Sequence, residues 1–222
     1  AKSGFLFSQK KQGIIPEFLE YYYNKRVIIK KELFKCLQAE KKDPGNIDLK
    51  YEVERLNTSQ MVIKILINSC YGYMGNKNAP IGDDDIASSV TLTGQAVIKE
   101  SNKQLKSYIR ANISKEISDH DLEECIIYND TDSSYISITP LVENGIKFWK
   151  DKEKGLIHED TYTEIQKIED YLNAGMKTWA EKALLTKDPR FVFKREMIAD
   201  IGLFLQKKRY VLHILDDEGI KV

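Results

Sequence analysis

The chain has 222 residues, 42% of them hydrophobic and 31% charged, with 34 basic side chains against 34 acidic ones. That length buries a real core as one large or two small domains, and the composition is that of an ordinary soluble globular protein. No apolar run approaches the roughly 20 residues that span a bilayer, and Ala1 to Gly4 carry no signal-peptide core. Cys36, Cys70 and Cys125 are scattered without a CxxC pair, which argues against zinc and thiol chemistry and for a reduced, cytoplasmic setting.

The zero net charge conceals an asymmetry. Residues 1–80 hold 14 Lys and Arg against 8 Asp and Glu, and the other 142 residues hold 20 against 26. A basic first part suits a polyanion and an acidic remainder suits a metal site.

In chain order, Gly13-Ile14-Ile15-Pro16 is a breaker and helix start, with proline tolerated in the first turn. A helix follows over about Glu17 to Glu40, with Phe18, Tyr21, Tyr22, Val27, Ile28 and Phe34 as its apolar contacts. Lys41 to Asn46 is a turn, and a second helix over about Leu49 to Asn68 buries Leu56, Met61, Ile63 and Ile67. Two helices with so short a connection form an αα-hairpin. On it, Arg26 and Lys30 share one face, as do Lys64 and Asn68, a basic and polar set of the kind that grips phosphate. Cys70 to Asn76 follows with two glycines and two tyrosines.

Asn76 to Gly82 reads as a loop and as the domain boundary, dividing residues 1–80 from 81–222. Asp83, Asp84 and Asp85 read as the cap and first-turn acids of a third helix, in preference to a metal site. That helix runs to about Asn112 on Ile86, Val90, Val97, Ile98, Leu105 and Ile109, then yields to a polar connector through Asp121. Ile126 to Ile138 is predicted as a β-hairpin with Asp130 and Asp132 at its tip, a place where oxygen ligands hold a hard divalent cation or simply shape a solvated turn. A further helix spans about Thr161 to Leu185, with Ile168, Leu172 and Trp179 inward. Arg190–Met197 and Tyr210–Leu215 alternate as strands. Lys207, Lys208 and Arg209 run into the second of these, with Lys208 and Tyr210 on one face. Asp217-Glu218-Gly219 is a hairpin turn.

Three motifs stand in a fixed order. Lys64-Ile-Leu-Ile-Asn68-Ser69-Cys70-Tyr71-Gly72 resembles the fingers motif KxxxNSxYG of family B DNA polymerases. Tyr128-Asn129-Asp130-Thr131-Asp132-Ser133 resembles their palm motif YxDTDS, and Lys207-Lys208-Arg209-Tyr210 their KKRY motif. Gly13 to Pro16 followed by Arg26-xxx-Lys30 is similar to the family's GxLP…RxxxK helix, and Phe193 to Glu196 to a segment ending in an Arg-Glu pair. The set spans about residues 13 to 218, and its compact form is similar to phage replicases.

The resemblance implies an α+β fold: an antiparallel palm sheet packed on helices, with an αα-hairpin as fingers. It implies template-directed addition of dNTPs to a primer 3′-hydroxyl with two Mg2+ ions, for which Mn2+ can substitute. Asp132, Asp130 and Lys64 would be catalytic, and Asp132, Asp130 and Glu196 would hold metal. Arg26, Lys30, Lys64 and Asn68 would hold the triphosphate, with Tyr71 and Gly72 beside the nascent base pair. Lys207, Lys208, Arg209 and Tyr210 would contact primer-template DNA, and residues 131 and 133 would shape the turn.

The sequence departs from the family in two places. The DxxSLYPS motif, which carries the other main palm carboxylate, does not occur in it, and Lys194 stands where some members carry an acid. The expectation is therefore a palm-and-fingers fragment or split subunit, inactive alone. Its partners would be the N-terminal, exonuclease and DxxSLYPS portion and the thumb, in cis or in trans, with no membrane. Two other readings compete: a non-catalytic nucleic-acid-binding subunit on the same scaffold, and a cyclase-like palm.

Overall fold

Helix α1 (Ile14–Lys42) starts directly after Gly13, whose extended backbone leaves the helix at the position expected of an N-cap. In this computed structural model, residues 1–8, 10–130, 132–139, 159–186 and 188–221 are described. Asp43 to Asn46 turn the chain, and the Asn46 side chain accepts the Leu49 N–H (3.1 Å) to cap helix α2 (Ile47–Met74). The two helices pack on each other along their length. Helix α2 runs about two turns beyond the expected Asn68, so Cys70 to Met74 are helical and Gly75 closes it. Leu33, Leu56 and Ile63 are buried as this packing requires. Three expected core residues are not: Tyr21, Ile28 and Met61 face outward, because two helices alone cover only one stripe of each.

Helix α3 (Asp84–Tyr108) is capped by Asp83, whose Oδ1 accepts the N–H groups of Asp85 (2.9 Å) and Ile86 (3.1 Å). The capping reading of the triple acid therefore holds. The chain divides into two compact units inside this helix: Ala1 with residues 3–91 forms one, and residues 92–222 with Lys2 the other.

In the second unit α3 continues into a π-helical turn (Ile109–Ile113). The expected polar connector to Asp121 is instead partly a helix. Ser118 accepts the Asp121 N–H (3.0 Å) and starts α4 (Asp119–Glu124). Its polar exterior masks an apolar spacing: Ile117, Leu122 and Cys125 are buried and join Leu105, Ile109 and Leu172 in one core cluster. Burial, reinforced by the charges of Asp121 and Glu124, pushes the Cys125 thiol up to about 11, so it is an inert packing group. Strands β1 (Ile126–Asp130) and β2 (Ser133–Ile136) form the expected antiparallel hairpin, with Asn129 opposite Ser134 and Asp130 opposite Ser133. Thr131 lies outside the described residues.

Helix α5 (Glu159–Ala183) supplies Leu172 and Met176 to the interior. The strand expected over Arg190–Met197 is absent up to Glu196. That segment has no strand assignment, and backbone groups of Phe193 and Arg195 are taken by side chains of α5. Asn173 clamps both the N–H (2.8 Å) and the carbonyl (2.9 Å) of Phe193, and Glu169 accepts the Arg195 N–H (3.2 Å). Pairing begins one residue later, in β3 (Met197–Gln206), which runs antiparallel to β4 (Arg209–Asp217). At Gly202 an added Cβ would lie 2.9 Å from Cδ2 of Leu212 across the strands, so any larger residue would have to displace that side chain. Glu218 and Gly219, at φ 48° and 94°, turn β4 into β5 (Ile220–Lys221), completing the expected hairpin. The whole is a mixed α+β chain of long helices and small antiparallel sheets. Among the described residues no helix is long and apolar enough to cross a membrane.

Candidate polymerase site

Two hairpin tips meet in the second unit. The β1–β2 tip carries Asp130 and Asp132. The β3–β4 tip is Lys207-Lys208, closed by the pairing of Gln206 with Arg209. This corrects the expectation that Lys207 to Tyr210 enter a strand with alternating faces, since two of the four residues are the turn. Lys208 adopts a left-handed φ of 62°, uncommon for a residue with a side chain. Its N–H donates to the Tyr128 hydroxyl (3.0 Å), and its Nζ lies 3.7 Å from Asp130 Oδ1. The cation of one tip is thus held against the carboxylate of the other.

An aromatic cluster fixes that meeting. Tyr128 and Tyr135 of the first hairpin pack on Phe204 and Tyr210 of the second, with ring centroids 5.2 to 6.1 Å apart. The Tyr135 hydroxyl donates to that of Tyr210 (2.6 Å). Burial first, then this bond and the nearby charges, raise the Tyr135 pKa, so the hydroxyl stays protonated. Rings held on both sides in this way remove the freedom of the two turns to move apart. Asp130 is half-buried beside them, and Asp132 is exposed at the tip.

A second polar centre supports the base of β4. Asp216, 2% exposed, is ion-paired to Arg195 and accepts hydrogen bonds from the Tyr162 hydroxyl (3.1 Å) and the Gly219 N–H (2.9 Å). Burial works to raise its pKa, but Arg195, Gly219 and Tyr162 outweigh it and hold the carboxyl below its ordinary value. Nothing in the local pattern of Asp216-Asp217 distinguishes the buried acid from the exposed one.

In the first unit, Arg26 donates from Nε (3.2 Å) and Nη2 (3.1 Å) to Oε1 of Gln60, which is buried between the helices. This bond sets the register of the pair. Lys30 lies one turn from Arg26 on α1, while Lys64 and Asn68 lie one and two turns beyond Gln60 on α2, about 6 Å per turn. Gln60 was not singled out from sequence. The available signal was its place four residues before Lys64, on the same helix face. Tyr71 is exposed, and a Cβ built on Gly72 would meet nothing within 4 Å.

The family description that matches residues 1–169 reads DNA polymerase family B. The chain belongs to that family. It is 27% identical over 173 residues to a DNA-directed DNA polymerase of Escherichia phage RB69, covering 74% of this chain and 18% of that protein. The corresponding enzyme of Enterobacteria phage T4 is 24% identical over an alignment of 265 residues, 97% of this chain and 29% of that protein. DNA polymerase 1 of Pyrococcus abyssi is 30% identical over 216 residues, 97% of this chain and 21% of that protein. The chain thus spans less than a third of the length of these relatives.

Within this family B chain the expected site residues are only partly gathered. Lys208 is brought to Asp130, whereas Lys207 and Arg209 are exposed and Tyr210 is turned into the ring cluster. Glu196 is exposed, ends the segment before β3, and accepts the Glu218 N–H (2.5 Å) through its backbone. Among the described residues, the group of three metal-capable side chains within 4.8 Å of one another is His120, Asp121 and Glu124 on α4, and Asp130, Asp132 and Glu196 do not form one.

Proposed function

We propose that this chain is the palm and fingers portion of a DNA polymerase that adds dNTPs to a primer 3′-hydroxyl. Residues 1–80 would be the fingers helix pair with its palm junction, and residues 81–222 the palm with the start of the thumb-proximal hairpin. The observation that carries the reading is the meeting of the two turns, in which the YxDTDS acids stand beside the KKRY cation, Lys208 Nζ lying 3.7 Å from Asp130. A binding module needs no carboxylates at such a point. A phosphoryl-transfer site needs both signs of charge there.

The donor set fits a hard cation: Asp130 and Asp132 offer carboxylate oxygens one residue apart on a turn braced by rings. They would hold Mg2+ or Mn2+; Glu196, the further ligand that the resemblance implies, is not gathered with them in this structure. Held there, two such ions would supply activation of the attacking hydroxyl and charge neutralisation on the leaving group. The new bond joins the primer 3′-oxygen to the α-phosphorus, and the bond from that phosphorus to pyrophosphate breaks. Arg26, Lys30 and Lys64 bind the triphosphate, Lys64 taking up charge as pyrophosphate departs, with Asn68 beside them. Gln60 orients Arg26. Tyr71 and Gly72 border the nascent base pair, an assignment supported by the open space at Gly72. Lys207, Lys208 and Arg209 hold primer-template phosphates. Tyr210, within the ring cluster, fixes the turn that carries them.

The remaining polymerase polypeptide is the partner. Ile201, Leu203, Leu205 and Val211 form an exposed apolar strip on β3 and β4, of the kind that another layer of the same enzyme covers. Because the DxxSLYPS carboxylate does not occur in these 222 residues, the chain by itself does not extend primers. The test is magnesium-dependent primer extension, by the chain alone and with a polypeptide bearing that motif supplied in cis or in trans. Extension only in the second case is expected, with Asp132→Ala abolishing it while DNA binding is kept. Robust extension by the chain alone would overturn the fragment reading. Retained extension in the Asp132→Ala enzyme would overturn the metal assignment and favour a non-catalytic binding subunit.

A further inference from the structure

We infer that the face of α3 and its π-helical turn carrying Lys99, Lys103, Lys106 and Arg110 is a track for the sugar-phosphate backbone of a single DNA strand, separate from the Asp130–Lys208 site. Spacings of four, three and four residues align these cations on one helix face over about 16 Å of axis. They line a cleft of about 670 Å³ between α3 with its π-helical turn and α4. The cleft is a groove open along one side, in which the phosphates of a single strand can lie against the cations.

Ion pairing along the cleft is uneven. Lys106 is paired with Glu123 and Arg110 with Asp119, contacts that tie the α4 wall to α3. Lys99 and Lys103, at the other end, make no ion pair among the described residues. Glu100, three residues before Lys103, is instead hydrogen-bonded by Gln104 (3.0 Å). Like charges four residues apart repel each other on a helix surface. This end keeps two cations one helical turn apart, and an incoming anion relieves their repulsion.

Between them lies Asn102, which donates to Asn129 (3.1 Å) and accepts from the Ser134 hydroxyl (3.0 Å). Neutral amides and hydroxyls flanking cations are the usual partners of phosphate and sugar oxygens. Asn129 and Ser134 sit opposite each other on the hairpin face that alternates with Tyr128 and Tyr135, so the cleft lies on the other side of the hairpin from the Lys208 contact. Among the described residues no aromatic ring lines the cleft, so the track grips backbone in preference to stacking bases.

Phosphate recognition here needs neither metal nor dNTP, so the inference stands apart from the polymerase reading. The test is fluorescence anisotropy of a labelled oligothymidylate and of a labelled duplex on the full 222-residue chain, without metal. Lys99→Glu with Lys103→Glu is expected to weaken oligothymidylate binding about tenfold or more. It should also reduce the slope of log affinity against log salt by about 1.4, at ~0.7 per phosphate contact, and leave duplex binding unchanged. Lys99→Gln with Lys103→Gln, which removes charge without adding repulsion, should give a smaller loss in the same direction. Lys207→Glu with Lys208→Glu should weaken the duplex and spare the oligothymidylate, and failure of that arm alone counts against the polymerase reading only. Unchanged oligothymidylate binding in both Lys99 and Lys103 variants, no binding by the unaltered chain, or displacement by polyglutamate at equal charge would overturn the track.

Discussion

The α1–α2 pair and the unit built on residues 92–222 use the same helical periodicity to different ends. In the helix pair Leu33, Leu56 and Ile63 are buried in a single seam, while Tyr21, Tyr23, Ile28, Met61, Val62 and Ile65 remain exposed. In the other unit α3, α4 and α5 surround one cluster in which Ile109 and Cys125 are fully buried and Leu105 is 2% exposed. The polar groups follow the same division. Arg26 is held across the seam by one neutral acceptor, Gln60, whereas Asp216 is enclosed by a cation, a hydroxyl and a backbone N–H. A thin seam of this kind can shift at lower cost than a closed cluster. The helix pair carries the proposed nucleotide cations and the closed unit the proposed metal acids, a division suited to a mobile gripping element and a rigid chemical one.

The comparison is broken most severely at Arg195. Arg195→Met leaves the buried Asp216 charge unpaired and should destabilise the closed unit by about 3–5 kcal/mol at neutral pH, measured by denaturant unfolding. Asp216 has a lowered pKa in the fold, so its favourable contribution is full above the unfolded carboxylate range near pH ~3.9 and is lost as pH falls through the lower folded value. The deficit of the variant should accordingly shrink in acid, where the unpaired carboxyl protonates. A deficit independent of pH would show that packing against Tyr162, and not charge, is what Arg195 supplies.

Leu105→Ala should cost about 2–5 kcal/mol through the cavity it opens. Met61→Ser on the outer face of α2 should stay within about 0.5 kcal/mol. Similar losses at both positions would mean that the helix pair has a covered face after all. Arg26→Met should be smaller than either buried change in the closed unit, about 1–2 kcal/mol for the unpaired Gln60 acceptor. It should also weaken dNTP binding in the completed enzyme. A gain, in place of a loss, is expected at Gly72. With open space around it, Gly72→Ala should raise the stability of α2 by up to about 1 kcal/mol, while primer extension by the completed enzyme falls. Gain in both would remove the base-pair role from Gly72.

Much of this chain was legible from residue order. Turn chemistry placed the Asp43–Asn46 connection, the Asp83 cap, the acidic hairpin and the Glu218-Gly219 turn, because each depends on a few adjacent residues and their own backbone. The motif residues were named from sequence for the same reason, since their chemistry is carried by type and spacing.

Other features depended on what lies across the fold. Phe191 to Arg195 alternates like a strand, yet Asn173 and Glu169 of α5 take its hydrogen bonds, and no local pattern announces a side-chain partner 20 residues away. Lys207 and Lys208 read as strand and became a turn, because β3 and β4 pair up to Gln206 and Arg209 and the Tyr128 hydroxyl receives the Lys208 N–H. The sequence by itself determined which residues could bear charge and chemistry. Tertiary packing decided which of them meet, because hydrogen bonds, ring contacts and burial join residues through space.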